Sequence, residues 1–182
     1  MRITFSIGIA TYFAPQDDLE EKVIAEIGRA QDSICIQAYK FASPRIKDAL
    51  LLALRDKRDR QESLVLKILL DGKETRKSQK ALEDKPASSD AAQAALIQAL
   101  GSGGADIKCI SERDIDKSHN KVMIIDEKTV LTGSFNYKPQ PNRVQVDNLL
   151  ILEHAGVAKN YQKMFDNYFQ SGNSCLQSCA KG

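Results

Sequence analysis

His119 is one of only two histidines in this 182-residue chain. It stands in the stretch SHNKVMIIDEKTVLTGSFNY (residues 118–137), with Lys121 two residues on, Asp126 seven residues on, and then Gly133, Ser134 and Asn136. An imidazole, an ammonium, a hydroxyl and a carboxamide make a poor metal site and a good phosphate site. Lysine and asparagine donate to phosphoryl oxygens and stabilise negative charge as it builds, and an imidazole can attack phosphorus. No acidic cluster accompanies them to hold Mg²⁺, so the chemistry expected here uses no metal and no cofactor. Taken as a strand, HNKVMIID turns His119 and Lys121 to one face and Asn120, Val122, Ile124 and Asp126 to the other. Asp126 is therefore expected away from the imidazole, in a structural role near the turn Asp126-Glu127-Lys128. Ser134 and Asn136 share a face, and Gly133 allows a close backbone approach.

The pattern His119-Asn120-Lys121, Asp126, then Gly133-Ser134-Phe135-Asn136 resembles the signature of the phospholipase D superfamily. The segments YKFASPRIKDAL and LLDGKE, and the FAP start followed by aspartate, are similar to it as well. Short length and a single motif look most like the bacterial Nuc-type endonuclease branch. The resemblance implies that His119 is the nucleophile, forming a phosphohistidine, and that Lys121, Ser134 and Asn136 bind the phosphate oxygens. It also implies a downstream acid that orients the histidine. The matching position is Asp147, where the branch usually has the longer glutamate.

Cleaving a phosphodiester takes a nucleophile and a general acid, and one His119 cannot be both in the same step. His154 follows Glu153 just before Gly156 and reads as a surface residue. Larger members of the superfamily carry two motifs, so the resemblance implies a twofold homodimer with two His119 side chains facing one phosphate and their pKa values pushed apart. The activity expected is a metal-independent, non-specific endonuclease acting on DNA or RNA. The alternative is a phospholipase D or phosphatidyltransferase acting on lipid headgroups, which would want an amphipathic membrane-facing helix; none stands out, and no membrane contact is expected. A non-catalytic binding module is the third option, and the intact motif speaks against it.

Composition excludes little. Hydrophobic residues at 42% and charged residues at 27% are ordinary for a globular chain. A net charge of +2 does not by itself mark a nucleic-acid binder, and the basic runs LRDKRDR and KETRKSQK read as solvated faces. No apolar run is long enough to span a bilayer. Near the start, Ile3, Phe5, Ile7 and Ile9 alternate, interrupted by Thr4, Ser6 and Gly8, which suits a strand better than a signal peptide. The compartment stays open between cytoplasm and periplasm or secretion. Cys35 and Cys109 read as buried thiols in strands, whereas Cys175 and Cys179 either pair or lie free on a tail over about 172–182. Tyr39, Phe41, Phe135 and Tyr137 suit base stacking and core packing equally.

The elements that must position these groups alternate. An amphipathic helix over 17–30 precedes the strand SICIQAYKF. Ser43 and Pro44 cap and open a helix through Lys57, and SLVLKILLD is a strand covered on both faces. Residues 72–89, polar and lysine-rich, read as a loop. A helix over 90–104 ends in glycines, then come the strand ADIKCI, two strands around Asp126–Lys128, the strand DNLLILE and a closing helix over 156–172. The expectation is a single α/β domain over 1–182: a mixed, largely parallel sheet flanked by helices on both faces, an α-β-α sandwich.

Overall fold

Three polar side chains start three of the helices, each accepting from a backbone N–H that the helix leaves orphaned. The computed structural model, which describes residues 8–110, 115–139 and 145–175, places Asp18 before α1 (Leu19–Ile27), accepting from the Glu21 N–H at 3.0 Å. Ser43 caps α2 (Pro44–Asp59) through the Ile46 N–H, with Pro44 in the first turn as expected. Ser88 caps α4 (Ser89–Ser102) through the Ala91 N–H. The strands are β1 (Gly8–Ala14), β2 (Ser33–Ala38), β3 (Val65–Asp71), β4 (Asp106–Ile110), β5 (Lys121–Ile125), β6 (Thr129–Gly133), β7 (Asp147–Glu153) and β8 (Asn173–Ser174). The expected strand positions Ile3, Phe5 and Ile7 lie outside the described residues.

The strands form one sheet in the order β1-β7-β6-β5-β2-β3-β4-β8. It is mixed, as expected, but not largely parallel. Only β2–β3 and β3–β4 pair in parallel, and the other described pairs are antiparallel. The reason lies in the connections. Parallel neighbours need a crossover element, which α2 supplies between β2 and β3, and α3 (Gly72–Asp84) with α4 between β3 and β4. After β4 the chain reaches α5 (Ala155–Ser171) only beyond β7, so β5, β6 and β7 return as a meander.

The sheet is covered on both sides. Leu19, Val23 and Ile27 of α1, Ile46 and Leu50 of α2, and Ile97 and Leu100 of α4 pack on Ile34, Ile36, Ile68, Leu70 and Met123. The opposite face, alternating with these along each strand, carries Cys35, Leu69, Val122, Ile124 and Val130 under Ala158, Phe165 and Phe169 of α5. His154, expected as a plain surface residue, is the N-cap of α5: its Nδ1 accepts from the Val157 N–H at 3.1 Å.

Two further expectations need correcting. The segment opening at residue 72 is a helix, α3, capped by Asp71 through the Glu74 N–H at 2.8 Å. Its buried face is Gly72, Glu74, Thr75 and Ser78, so no apolar period betrays it. Cys109 is not a free thiol, since it forms a disulfide with Cys175, their Cα atoms 5.3 Å apart. That bond and the β4–β8 pairing hold the start of the tail to the sheet. Cys35 is free and buried, while Cys179 lies outside the described residues. No helix among the described residues is long and apolar enough to cross a membrane.

Asp126 and Glu127 have φ of 53° and 52° between β5 and β6, the positive pair of a type I′ hairpin turn. The Asp126 carboxylate reaches back to the β2 entrance and accepts from the backbone N–H groups of Gln31, Asp32 and Ser33 at 2.9, 2.7 and 2.9 Å. Burial pushes its pKa up, and those three N–H donors outweigh burial and hold it below the ordinary aspartate value. A carboxyl depressed in the native state stabilises the fold above its unfolded pKa, and that stability is lost as pH falls through the native value. Asp126→Ala should therefore cost about 2 kcal/mol in urea denaturation at pH 7, and the gap from wild type should close on acidification. Equal stabilities at pH 7 would refute this role.

Candidate active site

All the strands that carry the motif end or begin at one edge of the sheet. Ala38 pairs with Lys121 and with Leu70, Gly133 with Leu149, and Ala14 with Asp147. This is the carboxyl end of β2, β3 and β6, the edge at which open α/β sheets bind ligands. Asp126 lies at the far end of β5, a distance of about 20 Å at the rise of an extended chain.

His119 lies in the irregular segment just ahead of β5 and is exposed. The neighbouring backbone is fixed from both sides. The buried Asp71 carboxylate, 5% exposed, accepts from the Ser118 N–H at 2.8 Å through one oxygen and caps α3 with the other. The Asn120 carbonyl accepts from the Tyr39 N–H, which carries the β2–β5 pairing one step further. Lys121 is 7% exposed and its Nζ donates to the His119 carbonyl at 2.8 Å. The imidazole meets the Tyr39 ring edge-on, centroids 4.7 Å apart at 61°. Lys117 and Lys121 hold their Nζ atoms 4.6 and 5.4 Å from the centre of that ring. The Tyr39 hydroxyl donates to Glu74 Oε2 at 3.2 Å, and Glu74 also pairs with Lys40 at 3.0 Å.

The electrostatics favour a neutral imidazole. Partial burial lowers the His119 pKa below its ordinary value, the Lys121 and Lys117 charges lower it further, and Asp71 opposes them. At neutral pH the ring therefore keeps a free nitrogen lone pair, which a nucleophile needs. Burial, followed by repulsion from Lys117, also lowers the Lys121 pKa, with Asp147 pulling it back.

Gly133 ends β6 where a Cβ would lie 2.2 Å from the Asn148 carbonyl oxygen; only glycine fits. Beyond it, side chains alternate. Phe135 and Tyr137 are buried at 2% and 1%, in T-shaped contact with each other, and Tyr137 meets Phe41 in the same way. Of the four aromatics weighed for base stacking, these three are core and only Tyr39 stands at the site. Ser134 and Asn136 are left on the side away from the core; Ser134 is exposed, and the half-buried Asn136 has an Oδ1 without a partner. The Ser134 hydroxyl donates to Asp147 Oδ1 at 2.7 Å and accepts from the Asn148 N–H at 3.0 Å. Asp147 thus engages Ser134 and the field at Lys121. The acid whose charge is felt at the His119 ring is Asp71, which sequence reasoning did not single out. Its signal was legible in LLDGKE: an acid closing an apolar strand, with Glu three residues later. Among the described residues no three His, Cys, Asp or Glu side chains come together as a metal site.

The family described as cardiolipin synthase, PLD-like domain, matches residues 23–169. Among curated proteins, a phospholipase D of Rickettsia conorii is 29% identical over 157 residues, 84% of this chain. A mitochondrial cardiolipin hydrolase of Xenopus laevis is 25% identical over 154 residues. The chain spans about 65% of the length of the Rickettsia protein. Among solved structures, Nuc of Salmonella typhimurium, a phospholipase D family member, superposes with a TM-score of 0.72 at 22% identity, over 93% of this chain and 98% of that one. NucT of Helicobacter pylori does so at 0.68 and 17%. These two structures share the fold of this chain, and the family match covers well over half of its length. The chain belongs to the phospholipase D superfamily, as a PLD-like domain with the fold of Nuc.

Proposed function

We propose that the protein is a metal-independent phosphodiesterase that cleaves nucleic acid through a phosphohistidine. The observation that carries this reading is an exposed imidazole edge-on to the Tyr39 ring, with the Lys117 and Lys121 ammonium groups near the same ring, at the ligand-binding edge of the sheet. A His119 ring nitrogen attacks phosphorus as the bond to the leaving oxygen breaks, and Lys121 and Asn136 stabilise the negative charge on the phosphoryl oxygens. The leaving oxygen takes a proton from a second imidazole, supplied by His119 of another copy of the chain. Water then attacks the phosphohistidine, giving its proton back to that second imidazole as the P–N bond breaks. The same lysines disfavour imidazolium in the free chain, and the arriving phosphate anion restores it on one of the two rings. Ser134 reaches the phosphate only by releasing Asp147, so Asp147 acts on the reaction through Ser134 and Lys121.

The names of the Rickettsia and Xenopus relatives favour a second reading, in which the diester belongs to a phospholipid. The fold shared with Nuc and NucT is compatible with either substrate. The Cys109–Cys175 disulfide supports an oxidising compartment.

Labelled single- and double-stranded DNA, RNA and cardiolipin vesicles, each incubated in EDTA, separate the two readings. We expect nucleic-acid cleavage that weakens steeply with salt and falls about a thousandfold or more in His119→Ala. Turnover of cardiolipin with nucleic acids untouched would reverse the assignment. A mass measurement in solution should give the dimer, and a strictly monomeric active enzyme would refute the shared site. In proton NMR, His119 should titrate below an ordinary imidazole, near 6.5, and Lys117→Ala should move it upward. A midpoint at or above that value in wild type would remove the argument for a neutral nucleophile.

A further inference from the structure

A cleft of about 220 Å³ has His119 in its lining and extends from it toward α5. It is smaller than the ~300–1,000 Å³ of a site that encloses a whole small ligand, and so suits a single ring system. Ile110 and Ile115 supply apolar wall, and Tyr168 of α5, 37% exposed, supplies an aromatic one. Gln37 also lines the cleft. It is 1% exposed, and its Nε2 donates to Ser118 Oγ at 3.2 Å, but its Oε1 has no partner. A buried amide oxygen left without a donor is rare enough to need a reason, and a bound group carrying an N–H would provide one. Lys117 lines the same cleft and lies next to the imidazole.

We propose that this cleft is a nucleobase subsite, holding the base that flanks the scissile phosphate against Tyr168, with Gln37 Oε1 accepting from the base's N–H edge. It rests on the nucleic-acid reading of the reaction. Three features select a base over a lipid headgroup. Lys117 repels the ammonium of choline or ethanolamine, the apolar walls do not satisfy the hydroxyls of a glycerol, and a flat uncharged ring stacks on an aromatic side chain whatever its sequence. The attacking residue His119 itself lines the cleft, with Ser118 and Asn120 on either side of it in the chain. A base seated there is one covalent linkage from a phosphate held at His119.

The test uses short DNA strands with one cleavable phosphodiester among methylphosphonate linkages, carrying either a base or an abasic residue on each side of it. Removing the base on one side should lower kcat/KM about tenfold. Tyr168→Ala should bring the base-bearing strand down to the abasic rate and leave abasic cleavage unchanged. Tyr168→Leu, which keeps apolar bulk without a ring, should do the same and guards against a folding defect. Wild type should prefer adenine to unsubstituted purine at that position, and Gln37→Leu should erase the preference. Equal cleavage of base-bearing and abasic strands by wild type would overturn the subsite and leave the nuclease reading standing. If no strand is cut while phosphatidylglycerol or cardiolipin vesicles are hydrolysed, the substrate reading fails and the subsite goes with it.

Discussion

One carboxylate holds the site to the fold. Asp71 ends β3, is buried, and places each oxygen 2.8 Å from a backbone N–H, of Glu74 on one side and Ser118 on the other. A buried carboxylate is tolerable only when its oxygens are satisfied, so the start of α3 and the segment before β5 are set together or not at all. Gly72 belongs to the same constraint, because a Cβ there would lie 2.5 Å from the Ile110 carbonyl oxygen and force α3 away from β4. With α3 in place, Glu74 receives the Tyr39 hydroxyl, and Tyr39 presents its ring edge to His119. The imidazole is thus positioned from the sheet outward.

The charges around that ring are predominantly cationic, which suits the phosphate of the proposed reaction. Desolvation, then the charges of Lys121 and Lys117, lower the His119 pKa, and desolvation, then Lys117, lowers that of Lys121. Asp71 and Asp147 offset only part of this, each acting on a different member of the group. On the proposed mechanism, the repulsion among these cations is relieved when a phosphate binds, so the residues that lower one another's pKa values also favour an anion. The nearly buried Lys121 matters most, since its charge is the least screened by solvent.

Much of this was readable in the sequence, for identifiable reasons. Helices with apolar periods and oxygen-bearing caps, such as the one opening at Ser43-Pro44, declare themselves locally. So did the pairing of Ser134 with Asn136, which alternate with the buried Phe135 and Tyr137; β5 begins only at Lys121, so His119 and Asn120, expected on opposite faces, precede it and line one cleft. What stayed hidden depends on contacts across the fold. The helix α3 buries a polar face against its surroundings, so it has no apolar stripe to read. The Cys109–Cys175 bond joins residues 66 apart along the chain. Strand direction was misjudged because local pattern does not say which neighbour a strand will choose, and β5 lies antiparallel beside β2.

Asp147 and Ser134 form a hydrogen-bonded pair close enough to Lys121 for the carboxylate to act on it. A hydroxyl has one proton to donate, and Ser134 gives it to Asp147 while its oxygen accepts from the Asn148 N–H. Ser134 is thereby held at the start of β7, and the Asp147 carboxylate sits where it raises the Lys121 pKa. Around the imidazole itself the contacts are the Tyr39 edge, the Lys121 hydrogen bond to the His119 carbonyl, and the Asp71 tether at Ser118. Asp147 pulls the Lys121 pKa back against burial and Lys117, and the Lys121 charge adds to desolvation in lowering that of His119.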